Sequence, residues 1–331
     1  MKCYRDLASA SREAGPPRRR AAAIGFFDGL HVGHQRLLRD LEAWARELEA
    51  EPVVVTFDRH PQEVLTGAGP IRILSLEHRL LLLARHGISA ALVLHFDLEL
   101  AALTAEEFIR RVLVEGLAAG ALLMGFDSAF GQGRKGTFER LLPLSGSLGI
   151  ALRRAGVEIL EGERVSSTLV REAVLAGDLP RLERLLGRRF SLLGRVQTGD
   201  GRGRTIGFPT ANLDVLGSAL PPNGVYFAQV ELLGRSFEDV LDRARPAARR
   251  QSLTAVVNVG TRPTFKDPAA GAVSTVEAHI LDWSGELPGD HLEVSFLRRH
   301  RDEMKFPSAA ALVERIRADI AACRRFVAAS P

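Results

Sequence analysis

The chain has 331 residues, of which 46% are apolar and 25% are charged, and this composition excludes disordered, collagen-like and fibrous proteins. Its length predicts about two domains. The 44 basic and 40 acidic residues leave a net charge of +4, and because the basic residues are spread along the chain we expect no nucleic-acid partner.

The sequence also limits the cellular setting. No apolar run is long enough to predict a membrane span, and residues 1–20 lack the apolar core of a secretory signal. Cys3 and Cys323 lie near opposite ends of the chain, a spacing that predicts neither a disulfide framework nor a zinc knuckle. We therefore expect a reduced, cytoplasmic protein without a membrane contact. The sequence leaves open a weak association between copies of the chain.

Predicted strands and helices alternate through the first half of the chain. The predicted strands cover residues 21–26, 53–57, 90–96, 121–126 and 157–160. The predicted helices cover residues 34–49, 76–85, 104–117, 166–176 and 179–186. The third of these helices opens with a capping box of Thr104 and Glu107, and the run VVVTF is typical of a strand buried on both faces. This alternation predicts an α/β fold with a doubly wound parallel sheet.

The pattern changes near residue 187. Short strands at close spacing are predicted over residues 190–197, 224–232, 253–259, 274–281 and 292–297. A helix with 3.6-residue periodicity follows over residues 308–327. This half therefore predicts a small antiparallel β-barrel with a C-terminal helix. We expect an N-terminal extension over 1–20, a first domain over 21–187 and a second over 188–331, with a charged, helix-capable insertion over 235–251.

The segment GFFDGLHVGH (25–34) joins the first predicted strand to the first predicted helix. Open α/β sheets bind ligands at the carboxyl ends of their strands, where this segment lies. The N-terminus of a helix attracts phosphate. His31 and His34 stand three residues apart, so both imidazoles can donate hydrogen bonds to a phosphate whose charge changes during a reaction. A metal site with Asp28 and a purely structural histidine pair are the alternatives. The segment does not match a P-loop.

A second candidate lies at SSTLVR (166–171). Its hydroxyls and backbone N–H groups can bind a triphosphate, with the guanidinium of Arg171 one turn later. The alternative is an ordinary helix N-cap.

Residues 131–136 match the pattern G-x-G-x-x-G. The match comes late in the domain and no clear ribose-binding acid follows it, so we do not expect a dinucleotide site. We expect instead a mobile loop that carries Arg134 and Lys135 near the phosphates.

Further motifs extend these two. In chain order they are GFFDGLHVGHQ (25–35), TFDRHP (56–61), GFDSAFG (125–131), SSTLVR (166–171), GRTIGFPTANL (203–213), NVGTRPTF (258–265), VEAHILD (276–282) and RDEMKF (301–306). The first and fourth resemble the nucleotidylyltransferase superfamily. From about residue 21 the whole chain is similar to the bacterial bifunctional riboflavin kinase/FMN adenylyltransferases. The resemblance implies that riboflavin is phosphorylated to FMN, and FMN adenylylated to FAD, with ATP and Mg²⁺.

In the adenylylating half, the resemblance implies a set of residues that contact ATP, its phosphates or the flavin edge. They are Gly25, Phe27, Asp28, His31, Gly33, His34, Asp127, Ser166, Ser167, Thr168 and Arg171. An FMN phosphate oxygen attacks the α-phosphorus of ATP and pyrophosphate leaves. Because this nucleophile is already ionised near neutral pH, positioning and charge neutralisation suffice without a general base.

In the kinase half, the 5′-hydroxyl of riboflavin keeps its proton and benefits from a base. Glu277 is the implied base, and a solvent-facing glutamate is the alternative. Thr210 and Asn212 can share one face and offer oxygen ligands to Mg²⁺ on ATP; a polar turn is the alternative. The remaining implied ATP or flavin contacts are Gly203, Gly207, Pro209, Asn258 and Arg301. For Arg301 the alternative is a solvent-exposed salt bridge.

Three features depart from the family pattern. Ser128 stands where the family has an aromatic residue, so flavin packing there is expected to differ. The connection over 235–251 is longer and more basic, which we interpret as a solvated excursion, with a partner contact as the alternative. Residues 1–20 lie outside the resemblance.

Two other classes of protein are disfavoured, as is a chain in which one half has lost its activity. A nucleic-acid-binding barrel would interleave aromatic and basic residues along one face, whereas the aromatic residues here stand beside GFPTAN and GTRPTF. A nicotinamide oxidoreductase would need a glycine fingerprint where this chain has FFDGLHVGH. Both motif sets are intact, so we expect both activities.

Overall fold

The computed structural model describes residues 1–12, 20–199, 202–244, 252–262, 273–285, 287 and 289–329. The chain forms two compact units. The first consists mainly of Met1–Ile71 and Arg79–Ser167, and the second mainly of Arg72–His78, Thr168–Arg243 and Ala247–Pro331. Within the described ranges, no helix is long and apolar enough to cross a membrane.

A six-stranded sheet forms the centre of the first unit. Its strands are β1 (Lys2–Tyr4), β2 (Arg20–Ile24), β3 (Glu51–Phe57), β4 (Ala90–Leu94), β5 (Ala119–Met124) and β6 (Ala151–Arg154). They pair in the order β1-β4-β3-β2-β5-β6, and every pairing is parallel. The predicted doubly wound parallel sheet is confirmed. The strand order reverses between β2 and β5, and ligands bind at such a switch point.

Ten α-helices accompany the strands up to residue 186 in the part of the chain that is described. They are α1 (Leu7–Arg12), α2 (Val32–Glu47), α3 (Pro61–Thr66), α4 (Leu76–Arg85), α5 (Leu98–Ala102), α6 (Ala105–Phe108), α7 (Phe138–Leu141), α8 (Ser145–Leu148), α9 (Ser167–Ala176) and α10 (Leu179–Leu186). The capping box of Thr104 and Glu107 opens α6 as predicted, and a π-helix over Ile109–Gly116 follows it.

The strand predicted over residues 157–160 is not part of the parallel sheet. Its last residues form β7 (Ile159–Leu160), which pairs with β8 (Glu163–Arg164) in an antiparallel hairpin. The sixth strand is β6, whose side chains alternate between exposed and half-buried. An edge strand can keep polar side chains in water, so β6 lacks the continuous apolar run that marks a central strand.

The expected N-terminal extension takes part in the sheet. Lys2–Tyr4 pair with Ala90–Leu92 as the other edge strand, and Ala10 of α1 is fully buried. Strand β1 is only three residues long, too short for its periodicity to predict a strand.

A closed barrel of six antiparallel strands forms the centre of the second unit. Its strands are β9 (Ser191–Gln197), β10 (Ala211–Asp214), β11 (Gly224–Gly234), β12 (Ser252–Arg262), β13 (Val273–Ile280) and β14 (His291–Arg301). Pairing of β9 with β10 closes the ring. Among the described residues after 187, the α-helices are α11 (Arg202–Thr205), α12 (Phe237–Arg243) and α13 (Ala309–Ala328); α10 and most of α9 also belong to the second unit. The predicted barrel with a C-terminal helix is confirmed. Helix α12 lies in the predicted insertion, whose residues 245–251 are outside the described residues.

The second unit also contains a buried polar cluster. His78 Nε2 lies 3.1 Å from Glu293 Oε1, and the Ser191 hydroxyl donates to the same carboxylate oxygen at 2.9 Å. All three side chains are buried. His78 belongs to the segment Arg72–His78, which is distant in sequence from the barrel strands that carry Ser191 and Glu293. These hydrogen bonds compensate the burial of the carboxylate.

Candidate active sites

The first candidate site begins with a strained turn after β2. Phe27 and Leu30 adopt left-handed backbone conformations, with φ of 55° and 42°, and both side chains are buried. Such conformations are costly for residues other than glycine and persist where packing enforces them. At Gly25 a Cβ would lie 3.0 Å from the Phe27 ring. Packing therefore holds the turn before His31 in one conformation. We call His31 and His34 the histidine pair.

The histidine pair occupies the first turn of α2. His31 is the N-cap, and its Nδ1 accepts a hydrogen bond from the backbone N–H of His34 at 3.3 Å. The two rings stack with centroids 3.8 Å apart. A Cβ at position 33 would lie 3.1 Å from Nδ1 of His31, so Gly33 lets that ring approach. Because Nδ1 accepts, the neutral ring carries its proton on Nε2 and can donate there.

Both imidazoles are neutral at physiological pH. Burial lowers the pKa of His31 to about 4. Burial lowers the pKa of His34 well below its usual range, and the neighbouring His31 and the Arg79 guanidinium lower it further. Nδ1 of His34 is buried and has no hydrogen-bond partner among the residues described. The pair can therefore donate to and accept from a ligand without carrying charge of its own.

We expect both rings to stay neutral down to about pH 5.5, where an ordinary histidine is mostly protonated. Between about pH 6.5 and 4, the unfolded chain binds a proton at His31 that the native protein does not bind. The contribution of neutral His31 to the free energy of unfolding is therefore complete above about pH 6.5 and is lost as the pH falls towards about 4. Ring nitrogen chemical shifts of isotope-labelled protein, assigned with His31→Gln and His34→Gln, measure the charge directly. A protonated ring at either position at about pH 5.5 would contradict the prediction.

Arg79 of α4 supports this site and was missed from the sequence. It is 2% exposed, and its guanidinium lies 4.1 Å from the centre of the Phe26 ring. Its Nη2 donates to the Phe57 carbonyl at 2.8 Å, and Nη1 donates to the Phe26 carbonyl. Arg79 thus joins the loop after β2 to the end of β3. In sequence it resembles any surface arginine on an amphipathic helix.

The serine-rich motif begins beside the same turn. The Ser167 hydroxyl donates to the Asp28 carbonyl at 2.9 Å, and Asp28 itself is buried. Ser166 precedes α9 and is half-buried, as is Arg171 in its first turns, whereas Thr168 is exposed. Hydroxyl groups at a helix start remain suited to binding phosphate.

Asp127 and Ser128 follow β5, on the other side of the switch point. The Asp127 carboxylate forms an ion pair with Arg164 of β8. The backbone N–H of Ser128 donates to the Gly125 carbonyl at 3.0 Å. The hairpin β7–β8 is thus tied to the loop that carries Ser128.

The glycine-rich loop at 131–136 has a packing explanation. A Cβ at Gly131 would lie 2.5 Å from the backbone nitrogen of Ala105, and a Cβ at Gly136 would lie 2.4 Å from the Cβ of Ala105. Phe130 and Gly136 exchange two backbone hydrogen bonds across the loop. The glycines therefore allow close contact with the start of α6.

The second candidate site lies on the outer surface of the barrel. Glu277 pairs with Asn212 on one side and with Asn258 on the other. Val225 pairs with Asn258 and, beyond it, with Arg301. Directly paired residues share one face of a sheet, and Glu277 alternates with the buried Val276 and Ala278. We call Asn212, Glu277, Asn258 and Arg301 the polar row.

A cavity of about 360 Å³ opens over this surface. It is lined by Gly203, Ile206, Phe208, Thr210, Val225, Val256, Asn258, Glu277, His279, Arg301, Glu303, Met304, Phe306, Leu312, Ile316 and Asp319. Predicted site residues among them are Gly203, Thr210, Asn258, Glu277 and Arg301. The other predicted kinase residues, Gly207, Pro209 and Asn212, adjoin lining residues, and the Pro209 carbonyl lies 2.8 Å from His279 Nδ1. Residues 263–265 of NVGTRPTF are outside the described residues.

Two lining carboxylates were not singled out from the sequence. Glu303 accepts hydrogen bonds from the amides of Asn258 and Asn223 at 3.3 and 3.2 Å. Asp319 of α13 is buried and binds Arg301. Arg301 therefore lines the cavity and forms a buried salt bridge, not the solvent-exposed one considered as the alternative.

The oxygen atoms of this site suit a Mg²⁺ ion that arrives bound to a nucleotide. Asn212 pairs directly with Glu277, and Thr210 lies two residues before Asn212 and lines the same cavity as Glu277. Both residues offer a neutral oxygen. The described residues contain no group of three histidine, cysteine, aspartate or glutamate side chains that could hold a metal ion. Mg²⁺ in proteins is commonly bound by one or two side chains together with substrate phosphates, and this set fits that pattern.

Family models match both halves of the chain. A model described as FAD synthetase matches residues 14–169, and a model described as riboflavin kinase matches residues 186–327. A crystal structure described as a macrolide-efflux protein from Streptococcus pneumoniae is 30% identical, with a TM-score of 0.76, and the match covers 98% of this chain and 99% of that chain.

Full-length relatives agree with the two models. The bifunctional riboflavin kinase/FMN adenylyltransferase of Pseudomonas fluorescens is 37% identical over 309 residues, which is 93% of each chain. The enzyme of the same name from Escherichia coli (strain K12) is 36% identical over 327 residues, or 98% of each chain. That from Bacillus subtilis (strain 168) is 31% identical over 90% of this chain and 89% of its own. The chain therefore belongs to the family of bifunctional riboflavin kinase/FMN adenylyltransferases.

Proposed function

We propose that residues 188–331 phosphorylate riboflavin to FMN and that residues 21–187 adenylylate FMN to FAD, each with ATP. One observation supports the proposal: the two family models match different stretches of the chain, and each stretch contains a different candidate site. The FAD synthetase model spans the histidine pair, and the riboflavin kinase model spans the polar row. The relatives named above carry both activities in their names.

In the adenylylation step, an FMN phosphate oxygen attacks the α-phosphorus of ATP, and the bond to the β-phosphate oxygen breaks to release pyrophosphate. The nucleophile is already ionised, so the residues position the phosphates and stabilise developing charge. The neutral rings of the histidine pair donate from nitrogen to phosphate oxygens. The residues that bind the triphosphate or shape its site are Gly25, Phe27, Asp28, Gly33, Ser166, Ser167, Thr168 and Arg171. Asp127 contacts the nucleotide or flavin edge.

In the kinase step, Glu277 accepts the proton of the riboflavin 5′-hydroxyl as its oxygen attacks the γ-phosphorus of ATP, and ADP leaves. Asn258 pairs directly with Glu277 in the barrel and contacts ATP or the flavin. When bound, Mg²⁺ neutralises charge on the ATP phosphates, and the Thr210 hydroxyl and Asn212 amide oxygen would hold it. The remaining ATP or flavin contacts are Gly203, Gly207, Pro209 and Arg301.

The proposed setting is the cytoplasm, with riboflavin, FMN and ATP as the partners of the chain. Neither nucleic acid nor a membrane is part of this proposal. The support is a net charge of +4 with basic residues spread along the chain, together with the family to which both halves are matched. A weak association between copies of the chain is also part of the proposal.

A discontinuous chromatographic assay tests the proposal. Purified protein is incubated with ATP and Mg²⁺, together with riboflavin in one tube and FMN in the other. FMN and FAD are expected in the first tube, and FAD with pyrophosphate in the second. FMN without FAD would place a defect in the first half and direct attention to Ser128. FAD from added FMN alone would remove kinase activity from the proposal, and absence of both products from folded protein would overturn it.

A further inference from the structure

One buried carboxylate on α13 faces three nitrogen-bearing side chains. Asp319 is 3% exposed. Its oxygens lie 3.1 and 3.0 Å from Arg301 Nε and 2.6 Å from Arg301 Nη2. His300 Nε2 and Arg315 Nε lie 3.1 and 3.0 Å from its Oδ1. Removing such a carboxylate would leave the buried edge of a guanidinium without its counter-charge.

The three partners differ in what else they contact. The Arg301 side chain is 14% exposed and lines the kinase cavity. Arg315 stands one turn earlier on α13, is 36% exposed and is not among the lining residues. The His300 ring stacks on Phe227 at 4.5 Å, and burial lowers its pKa, so the ring is neutral near pH 7. Arg301 is therefore the partner through which Asp319 can influence the site.

The bonds to Arg301 leave part of its guanidinium for a ligand. Nε and Nη2 donate to Asp319, and Nη1 donates to the Asp302 carbonyl at 2.8 Å. These bonds use one hydrogen on each nitrogen, and each Nη carries a second. A guanidinium held by two parallel bonds to a carboxylate has a fixed plane, so the remaining N–H directions are fixed as well. A lysine ammonium would not be oriented in this way.

We propose that Asp319 is a positioning residue of the kinase site, which holds Arg301 so that its remaining N–H groups donate to an acceptor oxygen of the ligand in the cavity. The ligand is the flavin, through a carbonyl or ribityl oxygen, or ATP, through a phosphate oxygen. This inference rests on the kinase activity proposed above. Although Asp319 also borders the cavity, its carboxylate is bound by Arg301, and we assign its effect to the orientation of that guanidinium.

The primary test is Asp319→Asn in the full chain. The variant removes the charge and keeps the shape, and we expect kcat/KM for riboflavin phosphorylation to fall about 10- to 100-fold. Adenylylation of added FMN by the same sample is the internal control and should be unchanged. A rise in KM for riboflavin alone assigns the acceptor to the flavin, and a rise for ATP alone assigns it to the nucleotide. An unchanged kcat/KM would overturn the proposal.

A double-mutant comparison separates positioning from a general effect on the helix. If Asp319 acts through Arg301, then Asp319→Asn added to Arg301→Gln lowers kcat/KM no further. A full additional loss in that background would contradict the proposal. Arg315→Ala is the matched control, because it removes another partner of the same carboxylate outside the cavity. A loss as large as that of Asp319→Asn would show that the carboxylate serves the helix instead.

Arg301→Lys keeps the test decisive if Asp319→Asn does not fold. Lysine retains the charge facing Asp319 but not the two parallel bonds, so we expect a similar loss of kinase activity in a folded protein. Full activity of this variant would overturn the proposal. The wild-type assay comes first: if the wild type forms no FMN, the proposed kinase function fails, whereas an active wild type with unaffected variants removes only the role of Asp319.

Discussion

Glu277→Gln is expected to lower the rate of FMN formation from riboflavin by about 10²- to 10⁴-fold, the usual contribution of a general base. Glutamine has nearly the same shape and keeps an oxygen beside Asn212 and Asn258, but it cannot take the proton of an alcohol. Adenylylation of added FMN should stay at the wild-type rate, because the histidine pair belongs to the other unit. Initial rates with riboflavin and with FMN, measured on one preparation, provide both values.

The matched control for this variant is Glu314→Gln. Glu314 is an exposed glutamate of α13 that does not line the cavity, so both rates should remain unchanged. Two results would contradict the assignment of Glu277. One is wild-type FMN formation by Glu277→Gln, which would make this glutamate a surface residue. The other is loss of both activities in a folded sample, which would mean that the two sites do not divide the work as proposed.

His31→Ala is expected to have the opposite effect, with FAD formation from FMN reduced about 10²- to 10³-fold, as for the loss of one donor to a developing charge. FMN formation from riboflavin should be retained. The substitution also removes the N-cap of α2, which costs about 1 kcal/mol of stability. Pyrophosphate release with FMN as substrate, together with a thermal unfolding curve, measures the two effects separately.

His31→Ser distinguishes the chemical role of this imidazole from its capping role. Serine is a favoured N-cap residue, so the variant restores the hydrogen bond to the backbone of His34 without an N–H donor at the imidazole position. We expect the stability of the wild type and the low activity of His31→Ala. Recovery of activity with His31→Ser would show that His31 acts only as a cap.

The sequence predicted most of the fold because its central strands and long helices carry clear periodicity. The run VVVTF corresponds to β3 (Glu51–Phe57), and the helix predicted over 76–85 has the observed bounds of α4. The edge strands were not predicted, because β1 is three residues long and β6 reads ALRR, with half of its side chains exposed. The segment VEIL (157–160) is predicted to be a strand of the sheet, whereas only Ile159–Leu160 form a strand, in a separate hairpin.

The candidate sites were predicted where motifs are contiguous and missed where the fold brings distant residues together. The histidine pair lies within one turn of α2, so spacing alone placed both rings on one side. Arg79 and Asp319 are single charged residues in helical patterns, and their burial depends on partners far along the chain. The direct pairing of Asn258 with Glu277 depends on the register of the barrel, which a stretch of sequence does not determine.

The segment Arg72–His78 bears on how the protein can be divided into fragments. His78 is buried against Glu293 and Ser191 of the barrel, so a fragment that starts at residue 188 keeps the carboxylate and loses the imidazole. A buried polar group that loses its partner costs about 1–3 kcal/mol. We expect this fragment to melt at a lower temperature than the barrel does within the whole chain, and Glu293→Gln to recover part of the difference. Cutting the gene between the two catalytic halves therefore removes a buried partner from the barrel half.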